Sequence, residues 1–317
     1  MSERATLVAI GNFDGVHCGH AAVLKPAASL AKERGLAPVV LTFDPHPAGV
    51  LGRQVLPALT ALPRKCELIE RLGLTVHVAQ FTRELAQLSP RQFAEQLLVE
   101  RLKAKHVIVG QNFRFGRERS GDFAELATLG EQMGFSASAQ PLLRASDEII
   151  SSSVVRRAIV AGDLVEAKKL LGRPHSFSGE VVTGEGRGRT LGVPTANLAG
   201  VVEVLPSFGV YAVLVDRLAL DEATGRLAPK RLGQGALNLG VRPTFGGGAP
   251  SVEVHLLDFS GDLYGQRLRL HLIKRLRPEQ KFASVHELMQ QIERDISQAR
   301  AALDGISSDP AAGAAWY

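Results

Sequence analysis

The sequence predicts an α/β domain followed by an antiparallel β domain, and three observations carry that expectation. At 317 residues the chain exceeds the usual size of one hydrophobic core. In the first half, short apolar runs at 7–10, 38–43, 76–78 and 107–109 alternate with helical patterns, the signature of parallel strands buried on both faces. After about Gly172 the texture changes to glycine-punctuated segments of period two. The expected organisation is a first domain over 1–172, a second over 173–305, and a tail at 306–317 that lacks periodicity and is expected to fray.

Each element has a local reason. The stretch Ser89-Pro90-Arg91-Gln92 places a capping serine, a proline at the first helical position and a glutamine that completes a capping box. It predicts a helix ending before Val107, which returns the chain for the next parallel strand. Pro26, inside the helix expected after His20, should remove a hydrogen bond and kink the axis. In the second half, Val252, Val254 and Leu256 share one strand face, while Glu253, His255 and Leu257 share the other; Leu268, Leu270 and Leu272 repeat the alternation. A barrel-like sheet follows. Ser284 and Glu287 form a second capping box ahead of Val285, Leu288, Ile292, Ile296, Ala299 and Leu303 at helical spacing, a helix that should pack on the barrel.

Composition excludes several classes. Hydrophobic residues at 45% and charged residues at 22% suit a folded enzyme rather than a disordered chain. No apolar run reaches the length of a membrane span, and the N-terminus lacks a basic segment followed by an apolar core, so a cytoplasmic protein with no membrane partner is expected. Two cysteines, Cys18 and Cys66, support neither a disulfide framework nor a zinc site. The net charge is +5, but the basic residues are scattered and aromatics reach only 5%, so a nucleic-acid partner is not expected.

The first chemical signal is G-N-F-D-G-V-H-C-G-H at 11–20. It follows a strand and opens a helix, so it lies at the carboxyl end of a parallel strand, where open α/β sheets bind ligands. His17 and His20 then stand at a helix N-terminus, which favours an anion, and two imidazoles can donate to phosphate oxygens. The loop lacks the lysine of a P-loop. Together with F-D-P-H-P at 43–47, G-Q-N-F-R-F-G at 110–116 and I-S-S-S-V-V-R at 150–156, this stretch resembles the FMN adenylyltransferase domain of the bacterial bifunctional riboflavin kinase/FAD synthetases, within the H-x-G-H nucleotidyltransferases. The resemblance implies a Rossmann-like fold and transfer of AMP from ATP to FMN. It implies that His17 and His20 hold the ATP phosphates, that Gly11, Asn12, Phe13, Asp14 and Gly19 line the nucleotide pocket, and that Ser152 and Arg156 close on the phosphates. His46, Asn112 and Arg114 would approach the flavin. The residues themselves leave Phe43 and Phe113 open between core and ligand contact, and Ser151 to Ser153 open between a helix cap and a phosphate contact. The sequence departs from the family pattern at Val154, where a basic residue is usual, and at Asn112, where aspartate is.

The second signal is G-E-V-V-T-G-E-G-R-G-R-T-L-G-V-P-T-A-N at 179–197. Its glycines can lay backbone N–H groups against phosphates, with Arg187 and Arg189 beside Gly184, Gly186 and Gly188. Thr195 and Asn197 point to one side of an extended segment, and both could give oxygen to one Mg²⁺. Continuing through N-L-G-V-R-P-T at 238–244, V-E-V-H-L-L-D-F at 252–259 and L-R-P-E-Q-K-F at 276–282, this half resembles the riboflavin kinase domain of the same family. The resemblance implies a Greek-key barrel, with Thr195 and Asn197 binding Mg-ATP and Glu253 as catalytic base. Arg277 would help cover the flavin, and Asn238 and Thr244 would serve the turn. ATP, riboflavin, FMN and FAD are the substrates and products expected.

Overall fold

The computed structural model describes residues 4–306 except 53, 146–147, 185, 187, 189–190, 224 and 242–249. The expectations placed on Arg187, Arg189, Thr244 and nearly all of the 306–317 tail lie outside the described residues. Two compact units divide between Val154 and Val155. The helices α7 (Ser152–Ala161) and α8 (Leu164–Leu171) therefore group almost entirely with the second unit.

The first unit is a five-stranded parallel sheet in the order β3-β2-β1-β4-β5: β1 (Thr6–Ile10), β2 (Ala37–Asp44), β3 (Thr75–Gln80), β4 (Ala104–Gly110) and β5 (Ser136–Gln140). The four apolar runs read from sequence are its first four strands. The fifth has the pattern Ser-Ala-Ser-Ala-Gln, too small and polar to announce itself. All of β1 is buried because helices cover both faces, with Leu7 and Ala9 in one core and Val8 and Ile10 in the other. The helices are α1 (Cys18–Glu33), α2 (Pro47–Val50), α3 (Leu62–Glu70), α4 (Arg83–Gln87), α5 (Pro90–Phe93) and α6 (Phe123–Met133). Ser89 and Gln92 form both bonds of the expected capping box, and the helix continues from α5 as a π-helix over Ala94–Arg101. Helix α1 runs on through Pro26, which is exposed.

A two-stranded antiparallel pair, β6 (Arg144–Ala145) and β7 (Glu148–Ile149), follows the sheet of the first unit. In the second unit, β8 (Ser176–Val182), β9 (Ala196–Ala199), β10 (Gly209–Asp221), β11 (Arg226–Val241), β12 (Pro250–Leu256) and β13 (Arg267–Pro278) close a barrel in the order β10-β11-β12-β9-β8-β13. Its interior holds the predicted alternation: Val252, Val254, Leu256, Leu268, Leu270 and Leu272 pack with Phe177, Tyr211 and Leu237. Helix α9 (Val285–Leu303), capped by Ser284, lays Ile296, Ala299 and Leu303 on the outer wall against Ala212, Leu214 and Ala236.

A buried polar group also lies in this unit. Asp216 accepts from His271 Nε2 at 2.7 Å and from Arg231 Nε at 2.7 Å. Burial alone would raise the Asp216 pKa, but the hydrogen bond and charge of His271, followed by Arg231, outweigh it and bring the value down to about 2. His175 Nε2 donates to the Val204 carbonyl at 2.8 Å. Burial holds its pKa down to about 4, although that hydrogen bond opposes the shift.

Candidate active sites

The loop between β1 and α1 is an unusual piece of backbone. Phe13 (φ 49°) and Val16 (φ 39°) both sit in the left-handed region, flanking Gly15 (φ 88°). Such geometry persists only where packing over-determines it, and here Phe13 and Val16 are driven into the core beside Leu7, Ala9 and Leu24. Phe13 is 4% exposed and serves as the loop's anchor. A Cβ on Gly11 would meet the Phe13 ring at 2.9 Å, so the glycine is required by that anchor. Asp14 braces the loop from its side: Oδ1 accepts from the Leu59 and Thr60 N–H groups at 2.8 and 3.2 Å.

His17 caps α1, its Nδ1 accepting from the His20 N–H at 3.3 Å, and the two imidazole rings stack with centroids 3.6 Å apart. An accepting Nδ1 puts the proton of a neutral ring on Nε2. A Cβ on Gly19 would meet the Ile150 carbonyl at 2.9 Å, so residue 150 crosses close over the first turn of α1. Two residues on, Ser152 Oγ donates to the Asp14 carbonyl at 3.0 Å. Arg156 lies further along α7 in the second unit, half-buried, and its charge helps to hold down the pKa of His175.

The loop faces a cavity of about 530 Å³ that Gly11, Asn12, His46, Asn112 and Arg114 line together with Phe43. The expected flavin residues and part of the nucleotide loop thus share one cavity. His46 caps α2, Nδ1 accepting from the Ala48 N–H at 3.2 Å, and its Nε2 lies 3.5 Å from Asn12 Nδ2. Arg114 pairs loosely with Asp122 at 3.4 Å, both half exposed. Phe43 and Phe113 pack against the core and also line the cavity.

Lys65 is a support of the loop that sequence reasoning passed over. On α3 it reads as a surface lysine, yet it is 8% exposed and donates Nζ to the Asn12 carbonyl at 3.2 Å and to Thr42 Oγ1 at 3.1 Å. Thr42 Oγ1 in turn donates to the same carbonyl. Burial lowers the Lys65 pKa, and the charges of Asp14, Cys66 and Asp44 oppose the shift. Lysine is so seldom buried that no pattern of the helix gave this away.

In the second unit the barrel register assembles the site. Asn197 on β9 pairs with Glu253 on β12, Glu253 with Asn238 on β11, Asn238 with Val210 on β10, and Val210 with Arg277 on β13. Cross-strand partners share a face, so a single row around the outer wall carries the expected metal ligand, base and flavin residue. Between this wall and α9 lies a cavity of about 330 Å³ lined by Thr195, Asn238, Glu253, Arg277, Phe282 and Ile292, among others. Arg277 is not a loose cover: Nε and Nη2 grip Asp295 of α9 at 2.8 to 3.0 Å, and its guanidinium lies 5.7 Å from the Phe282 ring centre. Asp295 stands on the apolar stripe of α9, a legible sign that it needed a buried partner.

The glycine-rich loop closes over the row's polar end. A Cβ on Gly184 would fall on the Asn197 side chain, and one on Gly188 would lie 2.5 Å from the Val193 carbonyl and 3.2 Å from Thr195 Oγ1. Gly186 takes φ 73°. His255, two residues beyond Glu253, bonds the Pro194 carbonyl through Nδ1 at 2.8 Å and fixes the segment carrying Thr195. Beside it, Pro194, Thr195, Ala196, Phe259 and Tyr264 line a further cavity of about 610 Å³.

Comparison with known proteins agrees with both halves. Residues 1–154 match the family model described as FAD synthetase, and residues 171–303 match riboflavin kinase. The bifunctional riboflavin kinase/FMN adenylyltransferase of Escherichia coli K12 is 40% identical over 300 residues, covering 94% of this chain and 93% of that protein. The Bacillus subtilis enzyme of the same name is 38% identical, covering 94% and 92%. The chain belongs to the bifunctional riboflavin kinase/FMN adenylyltransferase family. It is an enzyme of flavin cofactor biosynthesis, with the adenylyltransferase in its N-terminal half and the kinase in its C-terminal half. A solved structure from Streptococcus pneumoniae described as a macrolide-efflux protein superposes with a TM-score of 0.80 at 28% identity, covering 95% of each chain. Among the described residues no helix is long and apolar enough to cross a membrane.

Proposed function

We propose that the two family reactions are divided among the residues described above as follows. At the barrel, riboflavin lies in the cavity between the outer wall and α9. Glu253 takes the proton of the ribityl 5′-hydroxyl as that oxygen attacks the γ-phosphate of ATP, and ADP leaves. The observation that carries this reading is the single cross-strand row joining Asn197, Glu253 and Asn238, because it sets a carboxylate beside a polar cradle roofed by glycine. The Arg277 to Asp295 clamp fixes α9 as the far wall of the flavin cavity.

Thr195 Oγ1 and the Asn197 side-chain oxygen are hard donors against which Gly188 and Gly184 pack closely, and such oxygens fit Mg²⁺. When bound, the ion neutralises charge on the transferring phosphate. Gly184, Gly186 and Gly188 bring backbone N–H groups to the same phosphates.

In the α/β unit the FMN phosphate attacks the α-phosphate of ATP and pyrophosphate departs. His17, through Nε2–H, joins His20 and the N-terminal end of α1 in holding the departing charge. Asn12 and His46 orient the reacting ends, and Asn112 and Arg114 hold the flavin. No strong base is needed, since the attacking phosphate is already anionic. The cytoplasm, where ATP is plentiful, is the compartment we assign.

Reciprocal variants test the division. Glu253→Gln should cut FMN formation from riboflavin by at least about 100-fold while FAD formation from supplied FMN persists, and His17→Ala should do the reverse by about 100- to 1,000-fold. Flavins separated by chromatography report both. A variant that abolished both steps in a folded chain would refute the two-site model.

A further inference from the structure

The Glu253 carboxylate does not stand alone on β12. Ser251 lies two residues earlier, on the same outer face, and its Oγ donates to Glu253 Oε1 at 2.7 Å. That length is a well-formed O–H···O hydrogen bond. The surroundings leave the hydroxyl little alternative. Ser251 is 5% exposed, and its partner on β11 is Gly240, which has no side chain to bond. A Cβ on Gly240 would sit 2.6 Å from Glu279 Oε1, so the space beside Ser251 is already filled.

A strand glutamate has three side-chain torsions, and at a site open to substrate it samples several rotamers. Tying one carboxylate oxygen to the adjacent pleat removes most of that freedom from a residue that lines the cavity. We infer that Ser251 is a positioning residue for riboflavin phosphorylation, holding Oε1 of Glu253 so that Oε2 meets the ribityl hydroxyl. Ser251 touches neither substrate in this role. It acts through Glu253, so the inference rests on the assignment of Glu253 as base.

The consequence is a change in turnover without a change in binding. In the full-length chain, Ser251→Ala should lower kcat for FMN formation on the order of tenfold, the equivalent of one hydrogen bond to a charged group. The KM values for riboflavin and ATP should stay within about twofold, since uniform binding is untouched. Ser251→Thr keeps a hydroxyl on a β-branched residue suited to a strand, and it should restore kcat to within about threefold. FAD formation from FMN by the same preparation reports that each variant is folded. An unchanged kcat in Ser251→Ala would overturn the inference, as would a rise in KM that accounts for the whole loss, or a failure of threonine to rescue. Glu253→Gln in parallel separates the two levels. If it retained full kinase activity, the base assignment itself would fall; if it were inactive while Ser251→Ala was normal, only the positioning role would.

Discussion

The two phosphate cradles of this chain reach the same end by opposite means. In the α/β unit the cradle is a strained loop nailed down from beneath. Phe13 and Val16 are buried with positive φ, Asp14 holds the N–H groups of residues 59 and 60, and Lys65 holds the Asn12 carbonyl. In the barrel the glycines of the cradle rest directly on what lies below: the Asn197 and Thr195 side chains touch the places where Cβ atoms of Gly184 and Gly188 would be. The first cradle spends core packing on rigidity. The second spends glycine on proximity, and its precision is inherited from strand pairing. Damage should therefore spread differently: a changed anchor distorts the first cradle at a distance, whereas in the second any added atom blocks the site directly.

Gly184→Ala should give the largest effect of this kind. The added Cβ must displace Asn197, so kinase activity should fall by up to about 100-fold, mainly through a higher KM for ATP, if overpacking costs about 1–3 kcal/mol. Steady-state rates at varied ATP would check it, and an unaffected variant would mean the loop does not rest on Asn197. Lys65→Met probes the opposite strategy. It removes a buried anchor that never reaches solvent, and adenylylation should drop by about tenfold as the loop loosens, with riboflavin phosphorylation unchanged. Equal loss of both activities would show a general folding defect instead.

The smallest effect concerns stability. His175 has a folded pKa near 4 because it is buried, against about 6.5 in an unfolded chain. Between these values the unfolded chain binds the extra proton, so stability present above pH 6.5 is lost as pH falls toward 4. Urea unfolding followed by circular dichroism should show the barrel unit weaker at pH 5 than at pH 7 by roughly 1–2 kcal/mol. The difference should shrink in His175→Gln. Asp216, with a folded value near 2, contributes stability that is lost only below about pH 4, as pH falls through that value. Asp216 therefore does not enter the pH 5 comparison, whereas Glu203, whose carboxyl burial pushes up, works against His175 there.

How much of this was legible in the sequence follows the same contrast. Period two on 252–257 showed that Glu253 faced away from the barrel core, and capping boxes at Ser89 and Ser284 marked two helix starts, because these signals are local. Register is not local. Nothing in the sequence around Asn238 or Val210 told which strands they would meet, so the row from Asn197 to Arg277 emerged only with the closed barrel. Asp14 and Phe13 were legible as members of the motif but not as props of the loop: that part depends on packing and bonds from elsewhere in the chain, for Asp14 from residues some 45 positions away. Ser251 was the nearest miss, since its shared face with Glu253 followed from the same alternation.

The row around the barrel has a further meaning for how the molecule is made. Side chains on a strand alternate, so β12 shifted by one residue would turn Glu253 into the apolar interior and present Val252 and Val254 outside. Such a molecule would lack a base as well as a well-packed core. The kinase reaction is thus a proofreader's mark on assembly: each turnover certifies that five strands have found their partners in step, and the fraction of active chains in a refolding experiment counts correctly closed barrels.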